Sequence, residues 1–439
     1  MKFIFERYSF NPKKNEAVFT YAHENGQKFT EVVSFAYGLD VNKFTLEQWD
    51  ILDKALFLAF VLSGTSYWKA FPTRDVVLPI NIDNWQASFF NKVYQEGMSQ
   101  FAFENQLGRD SLAHFSAGSK GTQHATAQHG LRGEGILTLQ SGGKDSLLTA
   151  YLLEKAGHDL YLPWHVSSVY GHFPEVLDKL SETMSTATRT IDSEALLEAS
   201  RRGGLNGHVP VTYIVESLAI IQAILSGKSH IVVGIGDEGE EPHTHIGDLA
   251  VNHQWSKTWD AEVLLAQYVH RYISPDIQIG SPVRALSELR ISELFANMAW
   301  ERFGNGFSSC NRSNYTQGNM NEELQWCGKC PKCANAYILF APFVAPYNLQ
   351  ELFGGDLFQD PELAQVFKGL LGVGGVMKPF ECVAKTEELR KAYGMINFDG
   401  EGYAPLPFEV PNSNFNYNTM HDYQVWAYDL VKDALPKKA

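Results

Sequence analysis

The spacing of apolar and polar residues divides this chain before any motif is considered. From Phe3 to Ala36, short β-type runs are broken at Asn11-Pro12 and Asn25-Gly26, which predicts hairpins. Thr45 to Trp68 has helical spacing and opens with Thr45-Leu-Glu-Gln48, a capping-box pattern. Asn84 to Phe103 predicts a second amphipathic helix, rich in aromatics, and the polar stretch Ser116 to Arg132 predicts a loop. From Ile136 the pattern alternates. Strand-like runs at Ile136–Leu139, Leu160–Val166, Ala187–Ile191 and His230–Ile235 are interleaved with helical runs near Asp145–Ala156, Pro174–Met184, Ser193–Arg201 and Val211–Leu225. That alternation predicts an α/β fold with a doubly wound parallel sheet. After Arg302 the chain turns to loops with glycine, asparagine and cysteine, then a helix near Lys385–Tyr393. The expected organisation is an N-terminal α+β region over 1–125, an α/β domain over 130–300 and a cysteine-rich C-terminal region over 301–439.

Ligands of such sheets sit beyond the carboxyl ends of the strands. Those ends carry Ser141 to Ser146, His165 with Ser167, Asp192, and Gly234 to Glu238. Between the first strand and its helix lies Ser141-Gly-Gly-Lys-Asp-Ser146. A glycine turn feeding a helix N-terminus presents unpaired N–H groups and the positive end of the helix dipole, and both favour phosphate. A Walker A loop is excluded, because Thr138 stands where glycine is needed and Asp145 where Ser or Thr is needed. The N–H groups of Ser141, Gly142 and Gly143 are expected to cradle phosphate, with the Ser141 and Ser146 hydroxyls and Lys144 as further contacts. Asp145 suits Mg²⁺, although its place also suits a helix cap. His165, Gly234 and Lys257 complete the expected nucleotide set.

A formal net charge of -14 argues against a broad nucleic-acid surface, which needs clustered Lys and Arg. The longest apolar run, Ala55 to Leu62, is too short to span a bilayer, and Met1 to Tyr8 lacks a signal-peptide core, so a cytoplasmic protein without membrane or nucleic-acid partners is expected. The five cysteines are Cys310, Cys327, Cys330, Cys333 and Cys382. Three thiols at two-residue spacings, with Cys310 upstream, predict a closed structural Zn²⁺ site; an iron–sulfur cluster is the alternative. Three short polar motifs remain: Asn206-Gly-His-Val-Pro-Val-Thr212, Val251-Asn-His-Gln-Trp-Ser-Lys257 and Lys378-Pro-Phe-Glu-Cys-Val383. Each sets a titratable or nucleophilic group among turn residues. Cys382, His208 and His253 are the candidates for proton transfer, in that order, each against a plain packing role.

The loop at Ser141 resembles the PP-loop of the ATP pyrophosphatase superfamily, which splits ATP into AMP and pyrophosphate. Phe307-Ser-Ser-Cys310, Trp326 to Cys333 and Ser281 to Ile291 resemble segments of the 7-cyano-7-deazaguanine synthases, PP-loop enzymes that adenylate carboxylates. The loop, the three polar motifs and Ser63-Gly-Thr-Ser-Tyr-Trp-Lys69 together resemble the MurL-type epimerases. That resemblance spans roughly residues 55 to 390; Gly236-Asp-Glu-Gly-Glu240 departs from the asparagine-bearing versions. It implies ATP and Mg²⁺ as cofactors and a UDP-muramoyl dipeptide as the small-molecule substrate. Its terminal L-glutamate would be inverted after adenylation of a carboxylate. A PP-loop ligase or amidase passing the activated carboxylate to an amine, and a non-catalytic nucleotide sensor, are the alternatives. Oligomeric state stays open.

Overall fold

The structure, a computed structural model, describes residues 1–436 apart from 119–123, 125, 128–129, 132, 159, 170, 317–318 and 401. Part of the predicted loop from Ser116 to Arg132 therefore lies outside the described residues. The strands are β1 (Lys2–Asn11), β2 (Glu16–His23), β3 (Lys28–Ser34), β4 (Asp75–Val77), β5 (Ile136–Leu139), β6 (Leu162–Ser167), β7 (Ser185–Thr190) and β8 (His230–Val232). A small hairpin, β9 (Thr244–Ile246) with β10 (Leu249–Val251), precedes β11 (Gln278–Gly280).

Nine strands form one sheet in the order β11-β8-β5-β6-β7-β3-β2-β1-β4. The five from β11 to β7 are parallel, whereas β3, β2 and β1 continue the sheet antiparallel. The protein is thus a mixed α/β molecule around a mostly parallel central sheet. Successive strand residues face opposite ways, and the core follows suit. Leu137 and Ile231 join one apolar cluster with the helices Leu46–Ser63 and Val211–Ser226. Ile136 and Val232 join another with the helices Lys144–Lys155, Glu288–Leu294 and Pro331–Phe340.

The stretches 1–125 and 130–300, distinct in pattern, share this sheet and its first core. Their seam is the β3–β7 pairing, where the Arg189 Nε donates to the fully buried Glu31 at 2.8 Å and the Tyr67 hydroxyl donates to the same carboxylate at 2.9 Å. Burying that carboxylate is tolerable only because its oxygens are satisfied.

The capping box at Thr45 forms in both directions, with Gln48. The long helix after it stops at Ser63 and restarts as Thr65–Trp68, and the second predicted helix splits into Asn84–Gln95 and Ser99–Glu104. Pro174 to Met184 is not an α-helix. Only Glu175–Lys179 forms a 3₁₀ turn, after which both the N–H and the hydroxyl of Ser181 bond to Glu154 Oε1 and draw the chain toward β7. No helix among the described residues is long and apolar enough to cross a membrane.

Candidate active site

A cavity of about 310 Å³ opens at the carboxyl ends of β5, β6 and β8, walled on one side by the helix Val211–Ser226. The Ser141 loop forms its floor. Gly142 turns at φ +80°, a left-handed conformation that favours glycine, and Gly143 starts the helix with no side chain capping its first amides. The helix begins at Lys144 rather than Asp145, so Asp145 is not its cap. The Ser141 and Ser146 hydroxyls lie 3.4 Å apart beside this N-terminus. Gly234 contributes by absence: a Cβ there would lie 2.7 Å from the backbone of Asp145 and Ser146. Glycine lets β8 approach the helix start closely.

Charge is tightly paired behind the loop. Lys144 Nζ donates to Asp145 at 2.6 Å and to the buried Glu288 at 2.5 Å. Burial opposes the lysine's charge, but these two carboxylates outweigh it and raise its pKa. Glu288, desolvated and near Asp145, is pushed well above the ordinary carboxylate range, and its Oε1 has no hydrogen-bond partner. Lys257 pairs with Glu238 at 3.2 Å; against burial, Cys382 and then Glu238 hold it protonated. Gln254 bridges the same region, donating to Glu238 at 3.0 Å and accepting from the Val383 N–H at 2.8 Å. The sulfur-bearing segment is thereby tied to the loop's rear.

Two further polar side chains line the cavity. His165 Nδ1 donates to the Gln140 carbonyl at 2.7 Å, which leaves Nε2 as a buried, unpartnered acceptor; burial lowers the ring's pKa to about 4. Glu216, the one charged residue in the helix Val211–Ser226, is 5% exposed and raised well above the usual range, first by burial and then by Glu262.

His208 and His253 lie in a second basin. Their rings are 4.5 Å apart, His253 Nδ1 donates to Gln100 Oε1 at 2.6 Å, and His243 stands 6.4 Å from His253, stacked on Phe380. Burial, reinforced by neighbouring histidine or lysine charge, lowers His208 to about 3 and His253 and His243 to about 4, so all three are neutral near pH 7. Glu381 and Lys257 both act electrostatically on His253, and Cys382, next to Glu381 in the chain, acts on Lys257. The 378–385 segment is clasped by the acidic run after β8 through Lys378–Glu241 and Lys385–Asp237, each at 2.5 Å.

Asp192 is not part of either basin. It caps the helix Ser193–Arg201 and accepts from the Thr30 N–H. Glu216 and His243 enter the sites without having been predicted, and Glu238, Glu288 and Lys69 had been named only as parts of longer segments. A lone acid inside the apolar run from Val211 was the one available signal for Glu216; the others sit in segments whose partners are remote in sequence. A larger groove, about 870 Å³, lies along the β11 edge by Trp85 and Trp426 and contains none of the predicted site residues.

The cysteines fit a metal. The ligand atoms of Cys310, Cys327, Cys330 and Cys333 lie within 4.8 Å of one another, with sulfur pairs at 3.6, 3.7 and 3.4 Å. Tetrahedral Zn–S bonds of about 2.3 Å place sulfurs about 3.8 Å apart. The four thiols could hold such an ion with little movement.

Comparison with known proteins agrees along most of the chain. The sequence models of the MurL N-terminal domain and the MurL C-terminal domain match residues 1–281 and 306–402. The chain is 31% identical over 403 residues to the UDP-N-acetyl-alpha-D-muramoyl-L-alanyl-L-glutamate epimerase of Xanthomonas oryzae pv. oryzae, covering 90% of this chain and 85% of the relative. Proteins of the same name from Micromonospora sp. and Salinispora tropica are 32% and 31% identical, covering 88% and 92% of this chain and 84% and 86% of theirs. No solved structure matches the chain.

Proposed function

The chain belongs to the MurL family, and from that premise we propose that it inverts the terminal glutamate of UDP-N-acetylmuramoyl-L-alanyl-L-glutamate at the expense of ATP, in a cytoplasmic PP-loop enzyme. The observation that carries the reading is the Ser141 loop, an uncapped glycine turn at a helix start that borders a cavity at the carboxyl ends of the parallel strands.

A free carboxylate resists loss of its α-proton, because abstraction adds negative charge to an anion. Attack of that carboxylate on the α-phosphorus of ATP forms an acyl-adenylate and expels pyrophosphate, which removes the charge and acidifies the α-carbon. A base then takes the α-proton, an acid returns one to the opposite face, and water cleaves the acyl-adenylate to carboxylate and AMP. In this scheme the Ser141, Gly142 and Gly143 amides and the Ser141 and Ser146 hydroxyls bind the pyrophosphate portion. Lys144 braces Asp145 and Glu288, and Lys257 faces the phosphates. Asp145 would hold Mg²⁺, and the unpartnered Oε1 of Glu288 is a further oxygen close to that carboxylate. The ion would neutralise phosphate charge. His165 Nε2 and Glu216 accept hydrogen bonds from the nucleoside's amino or hydroxyl groups. Cys382, with His208 and His253, supplies the acid and base.

Incubation with the UDP-muramoyl dipeptide, ATP and Mg²⁺ in D₂O tests this. The expected products are pyrophosphate and a dipeptide deuterated at the glutamate α-carbon. Pyrophosphate release without deuteration overturns the epimerase reading and supports a ligase; ATP binding without release supports a sensor. For the cysteine cluster, elemental analysis should find about one zinc per chain and no iron, as expected of a closed four-thiolate site.

A further inference from the structure

Lys69 is the odd cation of the two basins. It follows the helix Thr65–Trp68, is half-buried, and its ammonium donates to the Gly207 carbonyl at 3.0 Å, one residue before His208. The other lysines around the basins have carboxylates: Asp145 and Glu288 for Lys144, Glu238 for Lys257, Glu241 for Lys378, and Glu381 for Lys332. Among the described residues no ion pair joins Lys69 to a carboxylate, although Glu104 lies against Gly207, its Oε2 3.3 Å from where a Cβ would sit. The charge that acts on Lys69 is Arg189, of the same sign, and burial together with that repulsion lowers its pKa to about 8. Arg189 itself is neutralised by Glu31. Lys69 also acts on the ring of His208, against which His253 packs, and Glu104 acts on His253.

A partly desolvated cation without a counter-ion is costly, and the cost is offset when a ligand supplies the anion. The proposed substrate has such an anion to place. A terminal glutamate carries two carboxylates; one must reach the nucleotide, and the other keeps its charge throughout the reaction. We propose that Lys69, beside His208, forms a subsite for the carboxylate that is not adenylated. The subsite would set which carboxylate is activated by fixing the other, and would hold the α-carbon near Cys382. This inference rests on the proposed function and deepens it.

The test compares two substrates, the UDP-muramoyl dipeptide ending in glutamate and its analogue ending in glutamine, whose side-chain carboxylate is an amide. The full-length enzyme should prefer the glutamate compound by about a hundredfold or more in kcat/KM, because a charged group in the site is left unpaired by the amide. Lys69→Met should lower kcat/KM on the glutamate compound by a similar factor and bring the preference close to one, while Lys69→Arg keeps most of it. A merely structural lysine would slow both substrates alike and leave the preference intact. Equal turnover of both compounds by the unaltered enzyme, or an unchanged preference in Lys69→Met, overturns the subsite, and the first of these needs no variant to fold. If the glutamate compound releases no pyrophosphate at all, the proposed function fails; calorimetric binding of the two compounds then still decides the subsite, with equal affinities overturning it.

Discussion

The Ser141 loop and the histidine basin hold positive charge differently. Behind the loop every lysine is locked to carboxylates, Lys144 to Asp145 and Glu288 and Lys257 to Glu238. In the basin Lys378 and Lys332 are paired likewise, but Lys69, among the described residues, donates to a carbonyl and forms no ion pair, and the histidines beside it are neutral. The difference matches the anions that each region is proposed to receive. Under the proposed function a nucleoside triphosphate would arrive with Mg²⁺ and meet backbone amides, so loose lysines are not required. An amino-acid carboxylate arrives bare and needs a cation waiting.

Stability should separate the two lysines most sharply. Lys144→Met strands Glu288 in the core and is expected to cost about 3–5 kcal/mol, read by denaturant unfolding. Lys69→Met strands no carboxylate and removes a partly desolvated cation, so it should leave stability unchanged or raise it; equal losses would erase the contrast. Next, Asp145→Asn should reduce pyrophosphate release and α-deuteration together by about a thousandfold, since both follow activation. Cys382→Ala should be smaller and selective. Deuteration falls about a hundredfold while pyrophosphate release persists, and parallel loss of both signals would move Cys382 out of proton transfer.

The weakest effect is that of pH. His165, His208, His243 and His253 have folded-state values of about 3 to 4, below the ordinary value near 6.5. Protons therefore bind the unfolded chain first. The stabilisation from neutral rings is complete above pH 6.5 and is lost on acidification toward pH 4, with a slope of at most about 1.4 kcal/mol per pH unit per ring. Partial exposure of His208, His243 and His253 reduces their share, so His165→Gln should flatten a thermal-melt series more than His208→Gln does.

Much of the loop side was legible in the sequence, because its chemistry is written in contiguous residues. Ser141 to Ser146 follow a strand and start a helix, so local backbone geometry alone presents the amides and hydroxyls. Three of the cysteines sit at two-residue spacings, and the fourth is close in sequence, so the cluster could be read from spacing. The alternation after Ile136 determined the parallel strands for the same reason, since hydrophobic periodicity is a local property.

Tertiary structure decided the rest. Residues 1–34 extend the same sheet through the β3–β7 pairing, a contact between segments about 150 residues apart that no local period encodes. The motifs holding His208 and His253 were visible, but the contact between their rings was not, nor the addition of His243, stacked on Phe380. Above all, whether a lysine is paired depends on which distant carboxylate the fold brings within a few ångströms. Glu288 reaches Lys144 across 144 residues of chain, and nothing comparable reaches Lys69 among the described residues. Sequence determined which chemical groups this protein possesses at its loop and its cysteine cluster; the fold decided which charges are left for a ligand, because Coulombic pairing depends on distance in space and not along the chain.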